Sequence, residues 1–145
     1  MNRAETIKRI GAIGEEINKL VLQNHGHTVV MSESKFDSEK DMMADEQTVE
    51  TKTLVKIKKF NAFCLGDNQW RKCDEVDRLF FIEIPSNPTD AILVWESPKP
   101  RKHFETMFNN QRCRMYEIKD LLLYDTVYNK EQATELCNLS PSKYR

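Results

Sequence analysis

The longest periodic stretch of the chain is also its first. Over residues 2–25, Ile10, Ile13, Ile17, Leu20 and Val21 recur at helical spacing, and Gly26 follows where a C-cap glycine belongs. The spacing predicts one long amphipathic helix. The period then shortens. Residues 27–31 (HTVVM) are a short β-prone run, and residues 32–40 (SESKFDSEK) are polar and loop-like. Met42, Met43 and Ala44 are apolar, residues 45–47 are turn-like, and residues 48–55 are rich in β-branched side chains and alternate. This reads as strand, turn, strand. Residues 60–66 are mixed and apolar. Residues 67–72 predict a short helix capped by Asp67 or Asn68, with Trp70 as a core anchor.

The second half opens on residues 78–85, nearly continuously apolar, as a buried central strand should be. Residues 86–89 make a turn, and residues 91–95 give another strand of buried character. Residues 97–103 carry two prolines and are basic, which predicts a loop. Residues 104–108 read as a helical turn, 112–118 as an edge strand and 120–124 as a second helical turn. Residues 130–138 predict a helix with Asn129 as its cap, and residues 140–145 a frayed tail. The order is helix, three-stranded meander, helix, strand. It predicts an α/β fold with a central mixed β-sheet flanked by α-helices, in one domain spanning residues 1–145.

Composition narrows the class. A chain of 145 residues has room for one core, and 31% charged residues suit a water-exposed surface. No apolar run approaches the roughly 20 residues of a membrane span. The first ten residues are charged and lack the apolar block of a signal peptide. The expectation is a cytoplasmic protein with no membrane partner. Cys64, Cys73, Cys113 and Cys137 are scattered without a metal-binding ladder, which predicts reduced thiols and no zinc site. A net charge of −1 means that any nucleic-acid surface must draw on locally concentrated basic residues. Alternation along an extended strand would place Lys52, Lys56 and Lys58 on one face.

The candidate chemistry lies in residues 41–52, DMMADEQTVETK. Glu50 and Lys52 are two apart and share a strand face. A tight turn would fold Asp41 back towards Glu50, bringing two carboxylates and an ammonium to one spot. Paired carboxylate oxygens suit Mg²⁺, and a neighbouring lysine can orient or activate an attacking water. Asp37 and Asp45 are the competing acids. Asp45 is too close to Glu50 for a comfortable hairpin register, and Asp37 would need a longer first strand, so Asp41 fits best.

The spacing D…ExK resembles the catalytic motif of the PD-(D/E)xK nuclease superfamily. The first helix adds Gly14-Glu15-Glu16-Ile17, then Leu20-Val21, then Gly26, which is similar to that family's first-helix pattern. Lys40 stands where the family often has proline. The resemblance covers about the first two thirds of the chain and implies a restriction-endonuclease-like core. It implies a homodimeric or larger endonuclease that hydrolyses DNA with Mg²⁺, for which Mn²⁺ substitutes. Asp41 and Glu50 would ligate the metal with the Thr51 carbonyl, Glu15 would complete the shell, and Lys52 would serve the water. By helical phase Glu15 lies nearly opposite the apolar stripe while Glu16 flanks it, so Glu16 stays a competitor. Lys56, Lys58, Gln69, Arg71, Lys72, Arg101 and Lys102 form the expected nucleic-acid surface; within it the resemblance implies that Gln69 and Lys72 face the active site from the helix after the ExK strand, with Arg71 on phosphate. The alternatives are a non-catalytic nucleic-acid-binding module that keeps the nuclease fold, and an interaction domain with a chance ExK.

Overall fold

The computed structural model describes residues 1–31 and 42–140. Asp37, Lys40 and Asp41, the loop expected over 32–40 and tail residues 141–145 lie outside them. The chain starts with helix α1 (Arg3–Asn24). Asn2 caps it reciprocally: its Oδ1 accepts the Glu5 N–H at 2.9 Å, and its Nδ2 donates to Glu5 Oε1 at 3.0 Å. At the other end the Gly26 N–H donates to the Gln23 carbonyl and the His27 N–H to that of Leu22. That double bond pattern needs a left-handed residue between, and Gly26 supplies it at φ +92°.

Strands β1 (Val29–Met31), β2 (Met42–Ala44) and β3 (Gln47–Leu54) form the antiparallel meander expected from the alternation. The β2–β3 turn is two residues long, Asp45 and Glu46, both at positive φ. This geometry matches strand twist but strains residues other than glycine. Asp45 offsets the strain by anchoring the turn to the start of β1. Its N–H donates to the Thr28 carbonyl, its Oδ1 accepts the Thr28 N–H, and its Oδ2 lies 2.6 Å from His27 Nδ1. The His27 hydrogen bond, then that of Thr28, hold the Asp45 carboxyl below its ordinary pKa.

From β3 the chain crosses through β4 (Ala62–Gly66) and α2 (Trp70–Glu75) to β5 (Arg78–Glu83), which pairs with β3 in parallel. Strands β6 (Ile92–Ser97) and β9 (Leu122–Val127) extend the sheet to six, in the order β1-β2-β3-β5-β6-β9. A second sheet takes β4, β7 (Phe104–Phe108) and β8 (Gln111–Glu117) in the order β4-β8-β7. Helix α3 (Lys130–Leu139) closes the chain, capped by Asn129, whose Oδ1 accepts the Gln132 N–H.

The architecture is α/β with a mixed sheet between two layers. On one face α1 and α3 pack Ile13, Ile17, Val21 and Leu136 against Val49, Phe80 and Ile82. On the other, the small sheet and α2 pack Phe63, Leu65, Cys73 and Tyr116 against Leu79 and Phe81. Phe63 stacks on Phe81 at 4.9 Å. β5 is buried on both faces, which is why it reads as a continuous apolar run.

Three expectations for the second half are corrected. Residues 104–108 form a strand, because Phe104, Thr106 and Phe108 alternate with exposed Glu105 and Met107, and Asn109-Asn110 turn the chain at positive φ into β8. β8 is a central strand, flanked by β4 and β7, so 112–118 is no edge. Residues 120–124 are a 3-10 turn at Ile118–Asp120 followed by β9, which lies at one edge of the six-stranded sheet. The helix at 67–72 is shifted to α2, with Gln69 in the cap position rather than Asp67 or Asn68.

Candidate functional site

The faces of β3 separate cleanly. Thr51 and Thr53 face α1: Asn18 Nδ2 donates to Thr51 Oγ1 at 2.9 Å, and Gly14 lies directly over Thr53. Glu50 and Lys52, the alternate positions, therefore leave from the opposite face, beside α2 and the second core. There Lys52 Nζ lies 3.4 Å from Glu50 Oε1, and Lys72 Nζ, from α2, lies 3.3 Å from Glu50 Oε2. Each carboxylate oxygen thus has its own ammonium. The side chains are 12% (Glu50), 21% (Lys52) and 24% (Lys72) exposed, so the cluster is held at the rim of the core and still reaches solvent. Cys73 is the next residue along α2. Burial pushes its thiol up to about 11, against the downward pull of the Lys52 ammonium. A thiol so poorly ionised is no nucleophile.

The pairing of Glu50 with Lys52 on one face agrees with the alternation. The second lysine is brought in by tertiary structure: the family resemblance implies that Gln69 and Lys72 face the site from the helix after the ExK strand, and Lys72 does stand against Glu50. Whether these residues suit a dication can be judged from the donors. Glu50 offers hard carboxylate oxygens of the kind Mg²⁺ takes, but each of them already faces an ammonium, so a dication would have to displace a lysine to bind there. Among the described residues no group of three His, Cys, Asp or Glu surrounds a common point, and Asp41, the second expected ligand, lies outside them. Met42 pairs with Val49, the neighbour of Glu50. Asp45, the competing acid, is committed to His27 and Thr28 in the turn.

The structure also moves the packed face of α1. Leu20, placed in the apolar stripe, is 50% exposed, whereas Gly14, Asn18 and Leu22 are buried. The face is rotated towards Gly14 and Asn18, and Glu15 shifts with it from the outer surface to a half-buried flank. Glu16 is exposed and adds its charge to the field at Arg9, which pairs with Glu135 of α3. Of the two, Glu15 borders the β3 contact. It sits in the helix layer, on the other side of β3 from the Glu50 and Lys52 side chains.

The expected basic surface is partly reassigned. β3 ends at Leu54, so Lys56 and Lys58 do not continue its face. Lys56 lies 3.9 Å from Glu83, and Lys58 is exposed in the turn before β4. Gln69 Oε1 accepts the Gly66 N–H at 3.1 Å and shapes the approach to α2. Arg101 is structural: its guanidinium donates to the carbonyls of Cys73 (2.8 Å), Val76 (2.9 Å) and Ser97 (3.4 Å), closing the C-terminal end of α2. Arg71 and Lys102 are exposed. Trp70 is half-buried under the Arg114 guanidinium, 4.5 Å from its ring centre, and so is a platform more than a core anchor. Sequence reasoning passed over Glu83, which lies on the Glu50 face further along the sheet and accepts from Trp95 Nε1 at 2.9 Å.

Fold and site together define an α/β protein whose mixed sheet carries a lysine–glutamate–lysine cluster on one face of its third strand. Compared with known proteins, the chain matches no family model, no curated protein and no solved structure. Among the described residues, no helix is long and apolar enough to cross a membrane.

Proposed function

We propose that this protein is a Mg²⁺-dependent deoxyribonuclease with a restriction-endonuclease-like core. The observation that carries the reading is the Glu50–Lys52 pair, side by side on one face of β3. That strand ends an antiparallel meander and enters a parallel crossover to β5 through α2. The order of α1, β1–β3, α2 and β5 supports the same reading.

In this mechanism Glu50, Asp41 and the Thr51 carbonyl would hold the metal, and Glu15, in the helix layer on the other side of β3, would stay out of its shell. Mg²⁺, when bound, polarises the scissile phosphate and lowers the pKa of its water. Lys52 does the remaining work. Its ammonium, fixed two residues from Glu50, orients the attacking water and steadies charge developing on the phosphate. Exposed Lys58, Arg71 and Lys102 supply backbone contacts, and cutting both strands calls for a homodimer.

Lys52→Ala tests the reading. Cleavage of plasmid DNA should fall by roughly 10²-fold or more while DNA affinity is largely kept, because the metal ligands and outer contacts stay in place. Affinity lost in step with cleavage would make Lys52 an ordinary phosphate contact, and affinity without cleavage in the wild type would favour a non-catalytic nucleic-acid-binding module. The binding surface has its own check. With Lys58, Arg71 and Lys102 on phosphates, the logarithm of affinity should fall against the logarithm of salt with a slope of about −3. An affinity indifferent to salt would remove this set.

A further inference from the structure

The small sheet has two faces, and the second core takes only one of them. Phe63, Leu65 and Tyr116 point into that core. The alternate positions leave from the other side. There Met115 lies opposite Phe104, and Cys113 opposite Thr106. Phe108, two further along β7, shares this face. The turn over residues 57–61 brings a third ring to it. Ile57 bridges to Ala62, Asn61 takes a positive φ, and the Asn61 carbonyl accepts the Ile118 N–H at 3.0 Å. Phe60 is thereby set between Phe104 and Phe108. Its ring centre is 5.7 Å from the first and 6.2 Å from the second, edge to face with both. The three rings form a row along β7, half-buried, on the face that holds the fully buried Cys113 and Met115.

Cations border the row. Lys59 Nζ lies 5.3 Å from the Phe60 ring centre. Lys58 in the same turn and Lys102, two residues before Phe104, are exposed, as is Lys59. Glu105, the acid of β7, alternates to the other face and is paired with Arg112 and Arg114. Ring surface beside positive charge fits a nucleic acid, whose bases stack and whose phosphates are anionic. The ring spacing selects its form. Duplex bases rise by about 3.4 Å along each strand. The rings stand nearly twice as far apart, which suits bases drawn apart along a single strand. A lipid surface would call for apolar side chains that sink into its acyl boundary. These rings are half-buried and lean on one another.

We propose that the outer face of the small sheet binds single-stranded nucleic acid, with bases on Phe60 and Phe104 and phosphates on Lys58, Lys59 and Lys102. Phe108 closes the row. This goes beyond the cleavage reading and needs no metal. It gives the phosphate contacts of Lys58 and Lys102 a particular strand to hold, beside rings that a closed duplex cannot stack on.

The test is run in chelator, so that no strand is cut. Labelled oligothymidylate of about 15 nucleotides is titrated with protein and followed by fluorescence anisotropy. A duplex of the same length and phosphatidylserine vesicles are measured beside it. Phe60→Leu and Phe104→Leu keep apolar bulk and remove the ring. Each should weaken oligothymidylate binding roughly fivefold or more, the low end for one lost base stack. Duplex binding should be unchanged, and thermal melts confine the comparison to folded variants. Phe60→Tyr keeps the ring and should bind as wild type does. The logarithm of oligothymidylate affinity should fall against the logarithm of salt with a slope of about −2, as three phosphate contacts on a single strand require. Leucine variants that bind as wild type does would overturn the site. So would leucine and tyrosine variants that lose affinity alike, or a wild type that binds vesicles and no oligothymidylate. Mg²⁺-dependent cutting of duplex DNA in any of those cases leaves the nuclease reading standing. The expected oligothymidylate binding in a protein that cuts nothing would support this site and remove that reading.

Discussion

Glu50→Gln is expected to remove DNA cleavage altogether, a loss of roughly 10³-fold or more, and to lower stability at the same time. The substitution keeps shape and removes charge. A neutral amide is a poor ligand for a hard dication, so metal binding should go with activity. The stability effect has a separate cause. Lys52 and Lys72 both face this one carboxylate, and each is more than three-quarters buried at its side chain. Taking the negative charge away leaves two like charges close together at the edge of the core, which should cost about 1–2 kcal/mol. Lys52→Ala behaves differently, since it leaves Glu50 with one partner and should melt close to wild type. Calorimetric metal titration, thermal melts and a cleavage assay on the two variants test the proposed roles of Glu50 and Lys52 separately. A Glu50→Gln protein that still cuts at the wild-type rate would take Glu50 out of the chemistry.

Gly14→Ala should have the largest effect on folding of any single methyl group added to α1. A Cβ built at Gly14 would overlap Thr53 Oγ1 and lie only 2.8 Å from Thr53 Cβ. Both atoms belong to Thr53, which is buried under the helix, so α1 itself would have to lift. Alanine's better helix propensity returns about 1 kcal/mol, less than the overpacking takes. The expected net loss is about 2–3 kcal/mol, or a melting temperature lower by roughly 10 °C. Gly11, one turn earlier, is the internal control: nothing lies within 4 Å of its built Cβ. Gly11→Ala should therefore stabilise by up to about 1 kcal/mol. Adding Thr53→Ala to Gly14→Ala should recover part of the loss, since it removes the hydroxyl and methyl but leaves the Cβ. Equal melting of Gly14→Ala and wild type would mean that α1 does not approach β3 this closely.

The legible parts of the fold were those with a long period or a buried run. α1 announced itself through its isoleucines and Gly26, and β5 through its apolar continuity. Asn129 marked α3. What escaped was short and depended on partners. β7 has only five residues, and its alternation becomes meaningful only when β8 lies beside it. The packed face of α1 was misjudged because hydrophobicity was used to find it. Gly14 and Asn18 are buried through lack of size and through a hydrogen bond, properties that an apolar stripe does not record. At the site, Glu50 and Lys52 were legible because one strand carries both. That Lys72 turns towards the site came from the family resemblance alone; its pairing with Glu50 has no local signal, because the two lie 22 positions apart and only packing decides where α2 lands. Arg101 was misassigned for a related reason: an arginine in a basic loop looks the same in sequence whether it meets a phosphate or the carbonyl end of a helix.

The division of β3 between its two neighbours has a consequence for how such a protein can change. Thr51 and Thr53 answer to the helix above, and Glu50 and Lys52 to the space below. Adjacent positions in the chain are thus under unrelated constraints, one set by fit and the other by charge. New chemistry could be written into the even-numbered positions without renegotiating the contact with α1, and the helix contact could be retuned while Glu50 and Lys52 stay in place. A strand that serves as the wall between two rooms lets each be refurnished separately.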